Sequence, residues 1–299
     1  MAQQRSGKIQ TIGEALPWIE SYLQSHGDEH PRLSAQYILS LATGLSRIEL
    51  YMQFDRNFTE DERAILREAI RRRGEGEPLQ YISGEVAFRR IVLKVEPGVL
   101  IPRPETEILV DKAIAFLKDR AQEKPLRVLD LCTGSGCIAL SLVHEVPNVT
   151  VVATDISQTA LSCAKRNAQA LNLSDKVEFF EGDLSDAVPQ DYCNTFDLII
   201  SNPPYIPSEE LKTLPQEVVG FEPTLALDGG EDGLDLYRKI LEQAPRLLQP
   251  DGMLACELFE ESLEDAQTLA QSIFKNTKIV QDLNRCNRVI CASCLKVSV

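Results

Sequence analysis

Two hydrophobic rhythms divide the chain. Up to about residue 74 apolar side chains recur at helical spacing; beyond about residue 126 short apolar runs alternate with amphipathic stretches. In the first region Ile12, Leu16, Ile19 and Leu23 share one helical face. Thr11/Glu14, Ser46/Glu49 and Thr59/Glu62 are capping-box pairs at three helix starts. Pro31 suits the first turn of a second helix that Gly44 ends. Ile65, Leu66, Ala69 and Ile70 give a last helix its apolar face, stopped at Gly74 and Gly76. Trp18, His26 and His30 read as core or surface residues rather than ligands.

Residues 77–101 change character. Residues 78–82 and 91–95 look extended about Gly84 and predict a β-hairpin linker between a helical domain (1–76) and a larger one (102–299). Ile101-Pro-Arg-Pro-Glu-Thr-Glu107 then opens a helix, with Pro104 in its first turn and acidic residues near its positive end. This polar cluster serves either as a cap alone or also as part of an active-site mouth.

The second rhythm predicts strands at 126–131, 149–154, 177–180, 196–200 and 253–258. Helices follow the glycines at 134 and 136, Ser157, Leu234 and Leu263. Such alternation predicts a mostly parallel sheet with right-handed crossovers. Residues 278–283 and 288–295 add a terminal antiparallel hairpin, for seven strands in a Rossmann-like α/β fold. Residues 206–231 form a long loop rich in Pro and Gly, a length that usually signals function.

The 299 residues suit one large and one small domain, and 43% hydrophobic with 25% charged residues is ordinary for a globular protein. No run approaches the roughly 18 apolar residues of a membrane span. Residues 1–10 lack the apolar core of a signal peptide, so a cytoplasmic location is expected. Net charge is −14. Residues 1–75 hold 10 Lys/Arg and 11 Asp/Glu, a net of −1, which leaves about −13 for the rest. An acidic catalytic half is ill suited to clamp phosphates and argues against nucleic acid as the substrate. Arg71-Arg72-Arg73 is the dense basic run and reads as the solvated end of a helix. The eight cysteines read as free thiols. Cys291 and Cys294 lie three apart on a strand and face opposite sides, and no zinc set is completed, so no metal is expected.

Candidate chemistry gathers at strand ends. Residues 196–200 run straight into Asn202-Pro203-Pro204-Tyr205, where two prolines end the strand in a rigid turn. Open α/β sheets hold ligands at such carboxyl ends. Asn202 offers an amide, the prolines offer carbonyls and Tyr205 a flat ring, a set that can hold a planar –NH2 group. Asp130-Leu-Cys132-Thr133-Gly134-Ser135-Gly136 supplies a turn that can approach a ligand closely, in itself a weak dinucleotide-like signal. Asp155, 25 positions after Asp130, ends the second strand where ribose hydroxyls would sit, beside Ile156. Asp183 and Leu184 follow the third strand, suited to an adenine amino group and ring. Asp130 before the glycines favours a cationic ligand over a pyrophosphate, which fits S-adenosylmethionine better than NAD.

Together these motifs resemble class I S-adenosylmethionine-dependent methyltransferases acting on planar nitrogen. Pro78-Leu-Gln-Tyr-Ile-x-Gly84, Leu100-Ile-Pro-Arg-Pro-Glu-Thr-Glu107 and Phe221-Glu-Pro-x-x-Ala-Leu-x-Gly-Gly-x-Asp-Gly-Leu234 resemble the HemK/PrmC family across nearly the whole chain. The resemblance implies methylation of the glutamine N5 in the Gly-Gly-Gln motif of peptide chain release factors. It implies a helical substrate-recognition domain and S-adenosylmethionine around Cys132 to Gly136, Asp155, Leu184 and Asn202; a monomer is expected. It also implies the glutamine amide held by Asn202, Pro203, Pro204 and Tyr205. Cys132 departs from the glycine many members carry. The rival readings are an adenine-N6 or guanine-N2 nucleic-acid methyltransferase, a nucleotide-binding dehydrogenase and a non-catalytic binding module.

Overall fold

The computed structural model describes residues 9–296; the polar stretch 1–8 lies outside them. The described residues fall into two compact units, 9–84 with 216–221, and 85–215 with 222–296. The expected linker 77–101 is therefore divided between them at Gly84.

The helical unit holds α1 (Ile12–Ser25), α2 (Pro31–Thr43), α3 (Arg47–Met52), α4 (Glu60–Gly74) and α5 (Leu79–Ser83). All three capping boxes form, each with both reciprocal bonds. Gly44 ends α2 at φ 70°. Leu66, Ala69 and Ile70 are buried, whereas Ile65, at the edge of that face, is 44% exposed. Trp18 is half-exposed, and His26 packs its ring against Tyr22. Residues 79–83, expected to be extended, are helical. Pro78 precedes the turn with a preset φ, Gly84 closes it at φ 74°, and Tyr81 and Ile82 are buried.

The arginine run is not a solvated face. Arg73 donates to Asp28 and to Glu217, each at 2.7 Å, and Arg72 pairs with Glu77 and donates to the Tyr81 carbonyl at 3.1 Å. Arg71, the exposed member, is held between Glu68 and Glu75.

The larger unit opens with a hairpin, β1 (Glu85–Phe88) and β2 (Ile91–Lys94), that turns at Arg89-Arg90 rather than at Gly84. Then come α6 (Thr106–Glu123), β3 (Leu126–Leu131), α7 (Cys137–Glu145), β4 (Val149–Asp155), α8 (Gln158–Ala170), β5 (Val177–Glu181) and β6 (Phe196–Ser201). The expected long loop carries short helical turns and α9 (Gln216–Phe221), which belongs to the helical unit. The chain ends with α10 (Asp235–Leu247), β7 (Leu248–Glu257), α11 (Leu263–Gln271), β8 (Phe274–Gln281) and β9 (Asn287–Leu295).

Seven strands run in the order β5-β4-β3-β6-β7-β9-β8, parallel except at β9, which is antiparallel to both its neighbours. Both faces are apolar. Val128, Leu198 and Ile200 pack towards α6 and α7, while Leu129, Leu131 and Ile199 join Tyr237 and Ile240 of α10. Covered faces explain why the parallel strands read as unbroken apolar runs. The strand order reverses direction of travel between β3 and β6, which opens a crevice at their carboxyl ends. No described helix is long and apolar enough to cross a membrane. The eight cysteines form no disulfide, and no His/Cys/Asp/Glu group suited to a metal occurs among the described residues.

Candidate active site

The glycine loop leaves β3 at Leu131 and enters α7 through left-handed residues: Cys132 at φ 59°, Gly134 at 57° and Gly136 at 83°. A Cβ on Gly136 would lie 3.1 Å from Leu140 and 3.2 Å from Ala164, so only glycine lets α7 and α8 close on the turn. Asp130, expected beside a cationic ligand, lies instead wholly inside the protein. Its Oδ2 accepts from the Thr133 hydroxyl at 2.6 Å, tying the loop from beneath. Burial pushes its carboxyl up to about 7 against the pull of the Thr133 bond and the Ala139 amide. Thr133 and Ser135 are buried as well. Cys132 and Gly134 are the members of the loop that reach open space.

That space is a cavity of about 420 Å³ at the crevice. Cys132, Gly134, Asp155, Ile156, Asp183 and Leu184 form one wall; Asn202 and Pro204 form the floor beside them. Asp155 accepts from the Gly134 amide on Oδ2 and the Ser157 amide on Oδ1, both at 2.8 Å. Burial raises its carboxyl, opposed by those amide bonds. Asp183 is half-exposed and meets Lys239 Nζ at 3.2 Å. Leu100, Lys239 and residues 223–226, which sequence reasoning did not place at the site, also line the cavity. Leu100 adjoins the proline-rich stretch and residues 223–226 belong to the long loop, so both had a local signal; Lys239 on α10 had none.

The Asn-Pro-Pro-Tyr turn is fixed from three sides. Ser201 donates its hydroxyl to the Leu131 carbonyl at 2.7 Å, locking β6 to β3. Asn202 donates Nδ2–H to Thr106 Oγ1 at 3.1 Å. Tyr205 donates its hydroxyl to Glu257 Oε1 at 2.9 Å; burial and that carboxylate raise its pKa well above the ordinary value, so the phenol stays neutral. Pro203 is buried, and neither it nor Tyr205 is part of the cavity wall.

The long loop returns to brace this turn. Ile206 N donates to the Leu227 carbonyl and Gly229 N to the Ile206 carbonyl, both at 2.9 Å. A Cβ on Gly229 would stand 2.7 Å from Tyr205 Cα, and one on Gly233 would stand 2.3 Å from the Tyr205 carbonyl oxygen. Glu222, buried, accepts from the Ile101 amide at 3.0 Å and pairs with Arg103. Two stretches far apart in sequence are thus one structural assembly.

A relative alike over nearly its whole length shows the family. The release factor glutamine methyltransferase of Rhodopirellula baltica is 40% identical over 97% of this chain and 98% of its own length. The chain belongs to the release factor glutamine methyltransferase family. A second member, from Geobacter sulfurreducens, is 40% identical over 95% of this chain and 96% of its own. Residues 14–84 match the PrmC N-terminal domain and residues 106–219 the methyltransferase small domain. Among solved structures, a methyltransferase from Pyrococcus furiosus superposes with a TM-score of 0.50 at 21% identity, covering 67% of this chain and 87% of that one. That likeness speaks to the fold alone. In this family member the crevice between β3 and β6 combines a pocket of ligand size with a polar amide held at its floor.

Proposed function

We propose that this methyltransferase moves the methyl group of S-adenosylmethionine to the side-chain N5 of the glutamine in the Gly-Gly-Gln motif of peptide chain release factors. The observation that carries this is the Asn202 side chain. Its Nδ2 is engaged by Thr106, which leaves Oδ1 as an acceptor at the cavity floor. An acceptor there suits an –NH2 group.

The residues around the cavity fit the cofactor. Asp155 has acceptor capacity for ribose hydroxyls, Asp183 for an adenine amino group, and Leu184 and Ile156 offer apolar contact for the ring. S-adenosylmethionine supplies an electrophilic methyl on a sulfonium sulfur. The chain's task is orientation, because an amide nitrogen shares its lone pair with the carbonyl and is a poor nucleophile. Asn202 Oδ1 would accept one N–H group at the cavity wall, and the Pro203 carbonyl and the Tyr205 ring, which stand outside that wall, would take the second N–H and the amide plane of a glutamine that enters beside the cofactor. These contacts strengthen as positive charge develops on nitrogen, so they favour the transition state. The proton would pass to water after transfer, so the chain need not supply a strong base there.

Labelled S-adenosylmethionine incubated with a purified release factor should transfer label to the protein. A Gln→Ala change in its Gly-Gly-Gln motif and a duplex DNA control should take none. Label on DNA and none on the factor would overturn the substrate assignment. Asn202→Ala should bind cofactor yet lose transfer; near-normal turnover would remove Asn202 from the mechanism.

A further inference from the structure

Residues 223–226, which line the cavity, form a short helical turn fastened at both ends. Downstream the fastening is backbone: the Leu227 carbonyl accepts from Ile206 N at 2.9 Å. Upstream it is one side chain, that of Glu222, which is 1% exposed. Its Oε2 accepts from the Ile101 amide at 3.0 Å, and its Oε1 accepts from Arg103 Nη2. The turn itself is closed by bonds within it. Ala226 N donates to the Pro223 carbonyl at 2.9 Å, and the Leu227 and Asp228 amides donate to the Thr224 carbonyl, both at 3.0 Å. Leu100 and Pro223, next in sequence to Ile101 and Glu222, both line the cavity, so this carboxylate joins two stretches of its wall. The two halves of the ion pair differ in exposure. Arg103 keeps 34% of its side chain in solvent, whereas Glu222 is inside.

We propose that the Arg103–Glu222 ion pair is a clasp on the cavity wall, and that its opening sets how long a bound cofactor stays. The inference rests on the S-adenosylmethionine half of the reading above. Spent cofactor must leave after each transfer, so turnover requires a wall that opens and recloses. The pair is built for that. Water can take over the donors of Arg103, but Glu222 without its cation is a desolvated charge, which makes the open state costly and short-lived. With the clasp open, the Ile101 amide alone holds Glu222, and residues 223–226 are free to part from residues 98–101. Leu225 lies in the turn, lines the cavity and is 60% exposed. A bound cofactor would cover that apolar surface, and the gain is lost when the turn withdraws. Neither Glu222 nor Arg103 lines the cavity, so both are positioning residues that act through the wall they hold.

The test compares three variants of the full chain by stopped-flow displacement and calorimetric titration. Glu222→Gln keeps an acceptor for the Ile101 amide and removes the charge. Arg103→Met removes the cation, and Arg103→Lys returns one. Glu222→Gln and Arg103→Met should release S-adenosylmethionine and S-adenosylhomocysteine roughly 10-fold faster, the scale of one lost hydrogen bond to a charged group. Association should change by less than about threefold, so the dissociation constants should rise in step with release. Arg103→Lys should recover most of the wild-type lifetime. Glu222→Gln leaves no charge stranded inside, so it carries the comparison if Arg103→Met fails to fold. Wild-type release from folded Glu222→Gln, or an Arg103→Lys that releases as fast as Arg103→Met, would overturn the proposal. Hydrogen exchange of the ligand-free protein separates the clasp from the cofactor assignment. In Glu222→Gln the amides of Ala226, Leu227 and Asp228 should exchange faster, while that of Leu129 in β3 should keep its wild-type rate. Unchanged exchange at those three amides would sink the clasp even if S-adenosylmethionine bound tightly. Faster exchange there beside a wild-type chain that binds no S-adenosylmethionine would support the clasp and sink the cofactor reading alone.

Discussion

The Tyr205 hydroxyl and Glu257 Oε1 lie 2.9 Å apart, joining the turn after β6 to the last residue of β7. Tyr205→Phe would keep the ring but leave a buried carboxylate oxygen without its donor. That should cost about 1–3 kcal/mol of stability. Denaturant melting should register the loss, and methyl transfer should fall far less than in Asn202→Ala.

Gly229 tests the brace from the long loop. Gly229→Ala would press a methyl onto the Tyr205 backbone at 2.7 Å, against atoms that cannot move aside cheaply. Turnover should drop about 10- to 100-fold as the turn shifts. Gly220→Ala is the control: its Cβ meets nothing within 4 Å, and in α9 it should leave melting unchanged or slightly raised.

Arg73 sets the acid response of the helical unit. Burial alone would raise the Asp28 carboxyl, but the Arg73 bond and charge, with the Ser34 and His30 bonds, hold it below its ordinary 3.8. A folded value below the unfolded one contributes stability above the unfolded pKa, near 3.9, that is lost as pH falls through the folded value. Removing one partner of a buried pair costs about 3–5 kcal/mol, so Arg73→Met should lose that much at neutral pH. In the variant only the Ser34 and His30 bonds are left to oppose burial, so the Asp28 pKa should rise and the deficit should shrink on acidification. Urea melts from pH 7 to pH 3 would check both limbs.

Cys132 sits at φ 59°, a conformation that costs a residue with a side chain about 1–2 kcal/mol. Cys132→Gly should relieve that strain while giving up a half-buried thiol, and so melt within about 1 kcal/mol of the parent. Cys132→Val, β-branched and bulkier at the cavity wall, should lose stability and weaken S-adenosylmethionine binding, as calorimetric titration would show.

Much of this was legible in the sequence where the signal is local. Thr11/Glu14 and its two counterparts announce helix starts within four residues, and Asp155 and Asn202 sit where apolar runs stop. What stayed hidden depends on distant partners. Arg73 looks like a solvated charge because Asp28 and Glu217 lie 45 and 144 positions away. Asn202 meets Thr106 from 96 positions away, with no motif that ties the two together. Residues 79–83 are too few to display a helical period, and adjacent apolar Tyr81 and Ile82 read as extended. Asp130 stands before the glycines as the motif requires, yet the chain folds its carboxylate inward onto Thr133.

The return of Gln216–Phe221 to the helical unit has a consequence in time. During synthesis at about 5–20 residues per second, the interval between making Arg73 and making Glu217 is roughly 7–30 s. The nascent helices must wait through it with one of Arg73's two carboxylates missing, so the first unit to leave the ribosome is among the last to be completed.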